Sequence, residues 1–374
     1  MINVLLLGGG LQGLSFGESL FKKKDINVSV VSNEYEIIKS RFFLHKYINK
    51  ESGYGEWLKD IFGKERFDVI IPMGDKSASY LSKNRTEIEK EYNTKCAVPD
   101  YSVLSVVEDK SSFMAFCETH DIPHPRTRKL LKENINDVAR EIHFPALIKP
   151  DYSVGARGIT RVNSLDELQS RFHEISSKYG ACTLQEFIDN PDYYYNVMMY
   201  RDEKGSVLGC VIIKIIRMYP IGAGSSSCCI TVENKDLERL CEMTLEKLEW
   251  VGMADFDVLQ RKDTGEYKII EINPRVPASL RAAYISGVNF PEIIVTDTMK
   301  QSVPLQHYQS GKTLRYMGLD LLWFLKSSCR FSVSPSWFYF IGNNVYYQDI
   351  IWGDFSTWYS WFVCGIKKLK QDKR

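Results

Sequence analysis

The stretch MADFDVLQRKDTGEYKIIEINPR, residues 253–275, places oxygen-bearing side chains near the ends of two apolar strands joined by a turn. Asp257 lies on the first strand, and Glu271 and Asn273 lie two residues apart on the second, so these two share one face. Two carboxylates and an amide oxygen suit a hard cation such as Mg²⁺, with phosphate oxygens and water completing its octahedron. Arg275 continues the same face with a permanent positive charge. The alternative is a hairpin that carries surface salt bridges.

A second informative stretch lies upstream, ALIKPDYSVGARGIT, residues 146–160. It predicts a strand with Lys149 at its end, followed by a loop that contains Gly155 and Gly158 with Arg157 between them. Such a loop can fold its backbone N–H groups over phosphates while the lysine supplies a point charge. A glycine-rich hairpin turn with a solvated arginine is the alternative.

The third stretch is TLQEFIDNPDYYYNVMMY, residues 183–200, in which the polar pair Gln185 and Glu186 interrupts an apolar strand. The backbone after this pair could run beside an adenine, and Asp192 could accept hydrogen bonds from ribose hydroxyls. Any edge strand that enters a turn would show the same pattern, so the residues alone leave both interpretations open.

The N-terminal stretch NVLLLGGGLQGLSFGESL, residues 3–20, runs from an apolar strand through a glycine-rich turn into a helix-like segment. Gly8, Gly10 and Gly13 satisfy the spacing GxGxxG, and Glu34 follows a second strand where a ribose-binding acid would lie. Any tight strand-to-helix connection needs similar glycines. The pattern therefore leaves an NAD-linked oxidoreductase open as one interpretation.

Composition narrows the class of protein. The chain has 374 residues, of which 44% are hydrophobic and 25% charged, as in ordinary globular proteins of two or three domains. A formal net charge of +1 gives no overall field to attract nucleic acid. The nine scattered cysteines form no CxxC motif, which favours reduced thiols and the cytoplasm. Neither a secretion signal nor an apolar run of about 18 residues is present, so we expect no transmembrane segment.

The pattern of strands and helices changes along the chain. Residues 1 to about 100 alternate short apolar strands with helix-compatible segments, which predicts a parallel α/β sheet, and one helix then ends before Pro123 and Pro125. From about residue 140, longer strands joined by turns predict an antiparallel α+β module.

Beyond about residue 300 the chain is rich in aromatic residues and ends in IKKLKQDKR. Helical spacing in the tail predicts an apolar stripe made of Phe355, Trp358, Phe362, Ile366 and Leu369. This helix could pack on its own domain or on a homodimer partner, or lie on a membrane surface.

Taken together, in this order, the motifs resemble those of the ATP-grasp superfamily over roughly residues 1–300. Four segments carry the resemblance: EDKSSFMAFCETHDIPHPRT (108–127), ALIKPDYSVGARGIT (146–160), LQEFID (184–189) and YKIIEINPR (267–275). The chain is most similar to single-unit carbamoyl-phosphate-synthase-like and D-aspartate-ligase-like amino-acid ligases.

The resemblance implies a mixed α/β and α+β fold in three parts. A Rossmann-like pre-ATP-grasp domain is expected over residues 1–105, and an ATP-grasp domain over residues 106–300. The latter would divide into a small lid subdomain at about 110–184 and a large subdomain at about 185–300, which sandwich ATP. Residues 301–374 would form an aromatic-rich C-terminal extension.

The resemblance also implies roles for individual residues. Expected contacts to ATP are Lys110, Lys149, Ser153, Gly155, Gly158, Gln185, Glu186, Phe187, Ile188 and Asp192. Asp257, Glu271 and Asn273 would hold Mg²⁺, with Mn²⁺ as an alternative, and Arg275, Lys149 and Arg157 would act in catalysis. The flap departs from the family pattern, since Ser153, Val154 and Ala156 replace a glycine run.

The implied activity is an ATP- and Mg²⁺-dependent carboxylate–amine ligase that forms an amide through an acyl phosphate. Alternatives are a catalytically inactive nucleotide-binding or scaffold protein and the NAD-linked oxidoreductase. No motif identifies the small-molecule carboxylate or amine. Gly10, Gln12, Asp75 and Lys214 are candidate substrate contacts, as is Arg217, although structural salt bridges are an equal alternative for the charged ones.

Overall fold

The computed structural model describes residues 1–48, 53–151, 158–190, 193–222, 224–351, 353, 354 and 359. It begins with an α/β domain whose elements are β1 (Ile2–Leu7), α1 (Gly10–Leu20), β2 (Ile26–Val31), α2 (Tyr35–Lys39), β3 (Lys46–Tyr47), α3 (Tyr54–Phe62), β4 (Val69–Pro72), α4 (Asp75–Lys83), α5 (Arg85–Tyr92) and β5 (Lys95–Cys96). The strands form one parallel sheet in the order β3-β2-β1-β4-β5, as the sequence predicts.

The apolar run of β1 is explained by burial on both faces of this sheet. Val4 and Leu6 pack into one hydrophobic cluster, whereas Leu5 and Leu7 pack into another on the opposite face. A strand covered by helices on both sides has no solvent-facing positions, so its sequence shows no polar alternation.

Two helices lead out of this domain, α6 (Tyr101–Glu108) and α7 (Lys110–Thr119). The sequence predicts one continuous helix here, which is wrong. Asp109 adopts an extended backbone conformation, and its side chain accepts a hydrogen bond from the backbone N–H of Ser112 at 2.7 Å. The aspartate is thus the N-cap of a new helix.

The small subdomain contains β6 (Thr127–Leu130), α8 (Ile135–Glu141), β7 (Ala146–Pro150), β8 (Thr160–Val162), α9 (Leu165–Tyr179) and β9 (Cys182–Glu186). Its four strands pair antiparallel in the order β6-β9-β7-β8. Helices α8 and α9 cover one face of this sheet, where Ile148, Leu168 and Leu184 form part of a separate core.

The large subdomain contains β10 (Tyr194–Arg201), β11 (Val207–Tyr219), β12 (Ser225–Thr231), α10 (Lys235–Lys247), β13 (Gly252–Gln260), β14 (Tyr267–Asn273), α11 (Leu280–Ser286) and α12 (Phe290–Thr298). The chain continues with β15 (Thr313–Arg315), α13 (Met317–Lys326) and β16 (Val345–Tyr347). The sheet has the order β14-β13-β10-β11-β12-β15-β16, so the last two strands extend it past residue 300.

The N-terminal domain and the large sheet share one hydrophobic core. Phe16 of α1 and Met198 of β10 belong to the same cluster, and α1 contacts both α11 and α12. The other face of the sheet is buried under α10, where Trp250 and Phe256 are fully enclosed. These contacts hold the carboxyl ends of the parallel strands close to the end of β14.

No helix in the described part of the chain is both long enough and apolar enough to span a bilayer. The five residues of the apolar stripe predicted in the tail all lie outside the described residues.

Candidate functional site

The predicted metal ligands meet on two paired strands. In the antiparallel register of β13 and β14, Asp257 lies opposite Glu271, and Asp255 lies opposite Asn273. Asp257 also accepts a hydrogen bond from Asn196 Nδ2 of the neighbouring strand β10, at 3.3 Å from Oδ1. Alternation along the strands places the two carboxylates of β13, together with Glu271 and Asn273 of β14, on one face of the sheet.

The charges on this face repel one another in a buried setting. Burial, followed by the nearby carboxylates of Glu271 and Asp255, raises the pKa of Asp257 well above its ordinary range. Asp255 Oδ1 is buried and has no hydrogen-bond partner among the described residues. A divalent cation would offset this repulsion, so the donor set fits Mg²⁺ or Mn²⁺.

The site is not a self-contained metal cage. Within the described ranges, no three His, Cys, Asp or Glu side chains converge closely enough to enclose an ion by themselves. Mg²⁺ in nucleotide sites normally takes one or two carboxylates and completes its octahedron with phosphates and water. Asp257, Glu271 and Asn273 match that pattern.

Sequence reasoning missed Asp255 and Asn196, which line the same face. The signal for Asp255 is its position two residues before Asp257 on one strand, which puts both side chains on the same side. Asp255 is 2% exposed, and its Oδ2 accepts a hydrogen bond from Asn273 Nδ2 at 3.5 Å. Its apparent place inside an apolar strand concealed it.

Asp255 gives the metal-free protein a testable pH dependence. Burial, partly opposed by Arg275, raises the pKa of Asp255 to about 7, compared with about 3.9 in unfolded chains. Because the folded state holds the proton more tightly, the stability contributed by this group is complete below about pH 4 and is lost as the pH rises through about 7. We expect Asp255→Asn to flatten the fall in Tm between about pH 4 and about pH 7 in the absence of Mg²⁺.

The matched control is Asp263→Asn, in the exposed turn between β13 and β14. Its Tm should fall with pH as steeply as that of the wild type. Equal slopes in all three proteins would show that Asp255 does not titrate in this window.

Lys149 reaches the carboxylates from the small subdomain. It lies on β7, and burial lowers its pKa to about 8, although Glu271 and Asp257 act in the opposite direction. Lys110, at the first turn of α7, is a further positive charge that acts on Lys149. The two predicted phosphate-binding lysines are therefore close enough to interact with each other, and Lys149 also interacts with the acidic face.

The predicted adenine hinge lies at the end of β9. Gln185 is buried and donates from Nε2 to Thr127 Oγ1 at 2.9 Å, so this side chain fixes β9 against β6. Glu186 forms an ion pair with Arg261. These contacts occupy both polar side chains and restrict any nucleotide contact here to the backbone.

The apolar half of the hinge is also ordered by its neighbours. The ring of Phe187 lies 4.2 Å from the guanidinium carbon of Arg161, and Ile188 is 2% exposed. Both residues lie where the small subdomain passes into the large one.

The structure describes only the end of the glycine-rich loop. Gly158 has φ +78°, and a Cβ there would lie 2.8 Å from Pro150 Cγ, so the position requires glycine. The remaining predicted loop and ribose contacts lie outside the described residues, namely Ser153, Gly155, Arg157 and Asp192.

Arg275 connects the acidic face with the N-terminal domain. Its Nε lies 2.8 Å from Asp75 Oδ1 at the start of α4, and its Nη2 donates to Asn273 Oδ1 at 3.2 Å. The predicted catalytic arginine and the candidate substrate contact Asp75 thus share one ion pair. Because Asp75 begins the helix that follows β4, the ion pair lies at the carboxyl end of that strand.

The glycine-rich turn of the N-terminal domain is occupied by the protein's own groups. The backbone N–H of Gly10 donates to Glu34 Oε2 at 2.6 Å, and Gln12 Nε2 donates to the Met73 carbonyl at 2.7 Å. A dinucleotide would need that N–H for its pyrophosphate and Glu34 for its ribose. The contact between them disfavours the NAD-linked alternative.

Lys214 does not reach the acidic face through an ion pair. Its Nζ lies 3.4 Å from the centre of the Tyr193 ring, and burial lowers its pKa. Among the described contacts this lysine makes a cation–π interaction, so its assignment as a substrate contact stays a prediction.

Comparison with known proteins agrees with this arrangement. Residues 107–279 match the family model for the ATP-grasp domain. This segment contains β6 to β14, and hence Lys149, the hinge and the acidic face. The chain therefore carries an ATP-grasp domain over these residues.

Similar proteins include a ligase and a synthase. The chain is 27% identical over 292 residues to the D-aspartate ligase of Enterococcus faecium (strain Aus0004), covering 70% of this chain and 68% of the ligase. It is 24% identical to the carbamoyl phosphate synthase large chain of Methanothermobacter thermautotrophicus, covering 60% of this chain but 22% of that longer protein.

The fold has counterparts among solved structures. A biotin carboxylase from Campylobacter jejuni, solved as a complex with β,γ-ATP, superimposes with a TM-score of 0.66 at 18% identity. The match covers 81% of this chain and 72% of the carboxylase. At this identity the comparison establishes the fold alone.

Proposed function

We propose that this protein is an ATP- and Mg²⁺-dependent carboxylate–amine ligase, which forms an amide through an acyl-phosphate intermediate. The proposal rests on Lys149 of β7 lying within electrostatic range of Asp257 and Glu271, which are paired across β13 and β14. A partly buried cation beside paired carboxylates suits phosphoryl transfer from a nucleotide, because it can offset the charge of the phosphate groups. The likeness to a D-aspartate ligase supports amide formation.

Each residue contributes through charge and position. Lys149 would hold negatively charged phosphate oxygens, and Asp257, Glu271 and Asn273 would hold Mg²⁺, or Mn²⁺ in its place. The bound cation supplies charge neutralisation for the transferred phosphoryl group. Arg275 would receive the substrate carboxylate and its acyl phosphate, because a guanidinium binds carboxylate and phosphate oxygens in the same planar geometry.

The ion pair between Arg275 and Asp75 is consistent with a carboxylate site. Asp75 presents to the guanidinium the same group that a carboxylate substrate would present. Gly10 and Gln12, in the first turn of α1, remain proposed substrate contacts. Amine attack on the acyl phosphate would release phosphate and form the amide, and exclusion of water would protect the intermediate.

The proposed substrates are an amino acid or small carboxylic acid and an amine. We place the protein in the cytoplasm, where ATP is available and where buried free thiols such as Cys210 and Cys241 stay reduced. A homodimer is the proposed assembly.

A steady-state assay tests the proposal. We expect Mg²⁺-dependent release of ADP and phosphate that is stimulated only when a carboxylate and an amine from an amino-acid panel are both present. If nucleotide binds well but no acid and amine pair stimulates turnover, the inactive nucleotide-binding alternative gains support.

Thermal shift distinguishes the cofactor classes without a known substrate. Mg-ATP should raise the Tm because it binds the folded state alone, whereas NADH should not. Stabilisation by NADH and not by Mg-ATP would overturn the ligase proposal.

A further inference from the structure

Helix α13 and the loop after it carry a cluster of apolar side chains, here called the aromatic patch, in which four exposed residues surround the half-buried Phe324: Leu321, Leu325, Phe331 and Phe338. Phe331 is 73% exposed, Leu325 59% and Phe338 55%. Leu321, Phe324 and Leu325 share one face of α13 because they are three and four residues apart. Large apolar side chains rarely gather on a free surface without a function.

The rings of the patch hold one another in place. Phe324 packs edge-on against Phe331 and Phe338, with ring centres 5.6 and 5.7 Å apart. Beneath them, buried Trp337 stacks on Phe324 at 4.1 Å. The exposed surface is therefore preorganised and rests on a fixed base.

The charged side chains within this segment, residues 321–348, all carry a positive charge. Arg330 lies 5.3 Å from the ring centre of Phe331, and Lys326 is exposed at the end of α13. No aspartate or glutamate occurs between residues 321 and 348, and the preceding Asp320 is completely buried. The apolar rings match an apolar layer, and the neighbouring cations match a negatively charged surface above that layer.

We propose that the aromatic patch binds the surface of a membrane that contains anionic lipids. The rings would enter the boundary between headgroups and acyl chains, while Lys326 and Arg330 stay at the level of the phosphates. This contact is peripheral and does not depend on the proposed ligase activity.

A second copy of the chain fits the patch less well. A symmetric dimer brings the same surface of each copy together. Arg330 and Lys326 would then approach their own counterparts, and this segment offers no carboxylate to neutralise them. An anionic lipid surface supplies that charge.

Vesicle co-sedimentation of the full chain tests the proposal. We expect binding to phosphatidylcholine vesicles that contain phosphatidylglycerol, weaker binding to phosphatidylcholine alone, and loss of the difference at high salt. The double variant Phe331→Ser and Phe338→Ser should bind at least about tenfold more weakly. Replacing Lys326 and Arg330 by Gln should weaken binding about fivefold for each charge.

The matched control is Ile48→Ser, since Ile48 is 70% exposed but lies in the N-terminal domain. It should bind vesicles like the wild type, and all variants should keep the wild-type Tm. Equal vesicle binding by the double serine variant would overturn the proposal, because the contact would then lie elsewhere, for example in the basic tail. Absence of binding by the wild type would also overturn it. So would a wild-type dimer, measured by light scattering, that the serine variant abolishes.

Discussion

Glu271→Gln is expected to reduce Mg²⁺-dependent ATP turnover by at least about a hundredfold, with a folded protein remaining. Glu271 lies opposite Asp257 in the sheet, and the two carboxylates are the charged part of the proposed cation site. The amide keeps the shape of the side chain but removes its charge, so the affinity for Mg²⁺ should fall. Raising the Mg²⁺ concentration should recover part of the activity.

In the absence of metal, the thermal stability of Glu271→Gln should not fall as its activity does. Burial is the largest cause of the raised pKa of Asp257 and the charge of Glu271 is the next, so the two carboxylates repel each other. Removing one charge relieves this repulsion, so the Tm without Mg²⁺ should be equal to or higher than that of the wild type. A large fall in Tm would instead attribute the lost activity to unfolding.

Two further variants complete the test. Lys149→Ala should also abolish turnover, because it removes the cation that faces the carboxylates from β7. Glu266→Gln is the matched control, since Glu266 is exposed in the turn before β14 and pairs with Lys268 at 3.0 Å. Near-normal turnover in both Glu271→Gln and Lys149→Ala would contradict the site.

The parts of this site that could be predicted from the sequence share a local cause. Glu271 and Asn273 lie on one strand, so a period of two residues places them on one face without knowledge of the fold. The apolar runs of β1 and β4 likewise indicate buried parallel strands. Family resemblance supplied the order of these segments in space.

The remainder depends on contacts between distant residues. Nothing near Gly10 in the sequence shows that Glu34 would occupy its N–H, or that Arg275 would pair with Asp75, 200 residues away. The break between α6 and α7 depends on one capping aspartate, which a helical pattern conceals. The ion pair of Arg217 is equally hidden from the sequence, because its partner Asp320 lies 103 residues further along the chain.

Asp320→Asn is expected to lower the free energy of unfolding by about 3–5 kcal/mol. Asp320 is fully buried at the start of α13, and its carboxylate lies between two buried arginines. Arg217 donates from Nε to Oδ1 at 2.7 Å and from Nη2 to Oδ2 at 3.0 Å, and Arg315 donates from Nε to Oδ2 at 2.9 Å. An amide cannot balance two guanidinium charges out of water.

Urea denaturation measures this effect, with Asp137→Asn as the control. Asp137 is exposed and pairs with Arg140 at 3.5 Å, so its replacement should change the free energy by less than about 0.5 kcal/mol. An Asp320→Asn variant as stable as the wild type would show that the arginines find other partners.

The positions of the buried charges also predict which strands should lose stability first in Asp320→Asn. Arg217 belongs to β11, Arg315 to β15 and Asp320 to α13, so the cluster joins the C-terminal segment to the large sheet. Asp320→Asn should therefore speed hydrogen exchange first in β15 and β16 at the sheet edge, and leave β13 and β14 protected. Because the paired carboxylates lie on those protected strands at the opposite edge, ATP turnover below the unfolding transition should persist in this variant, in contrast to Glu271→Gln.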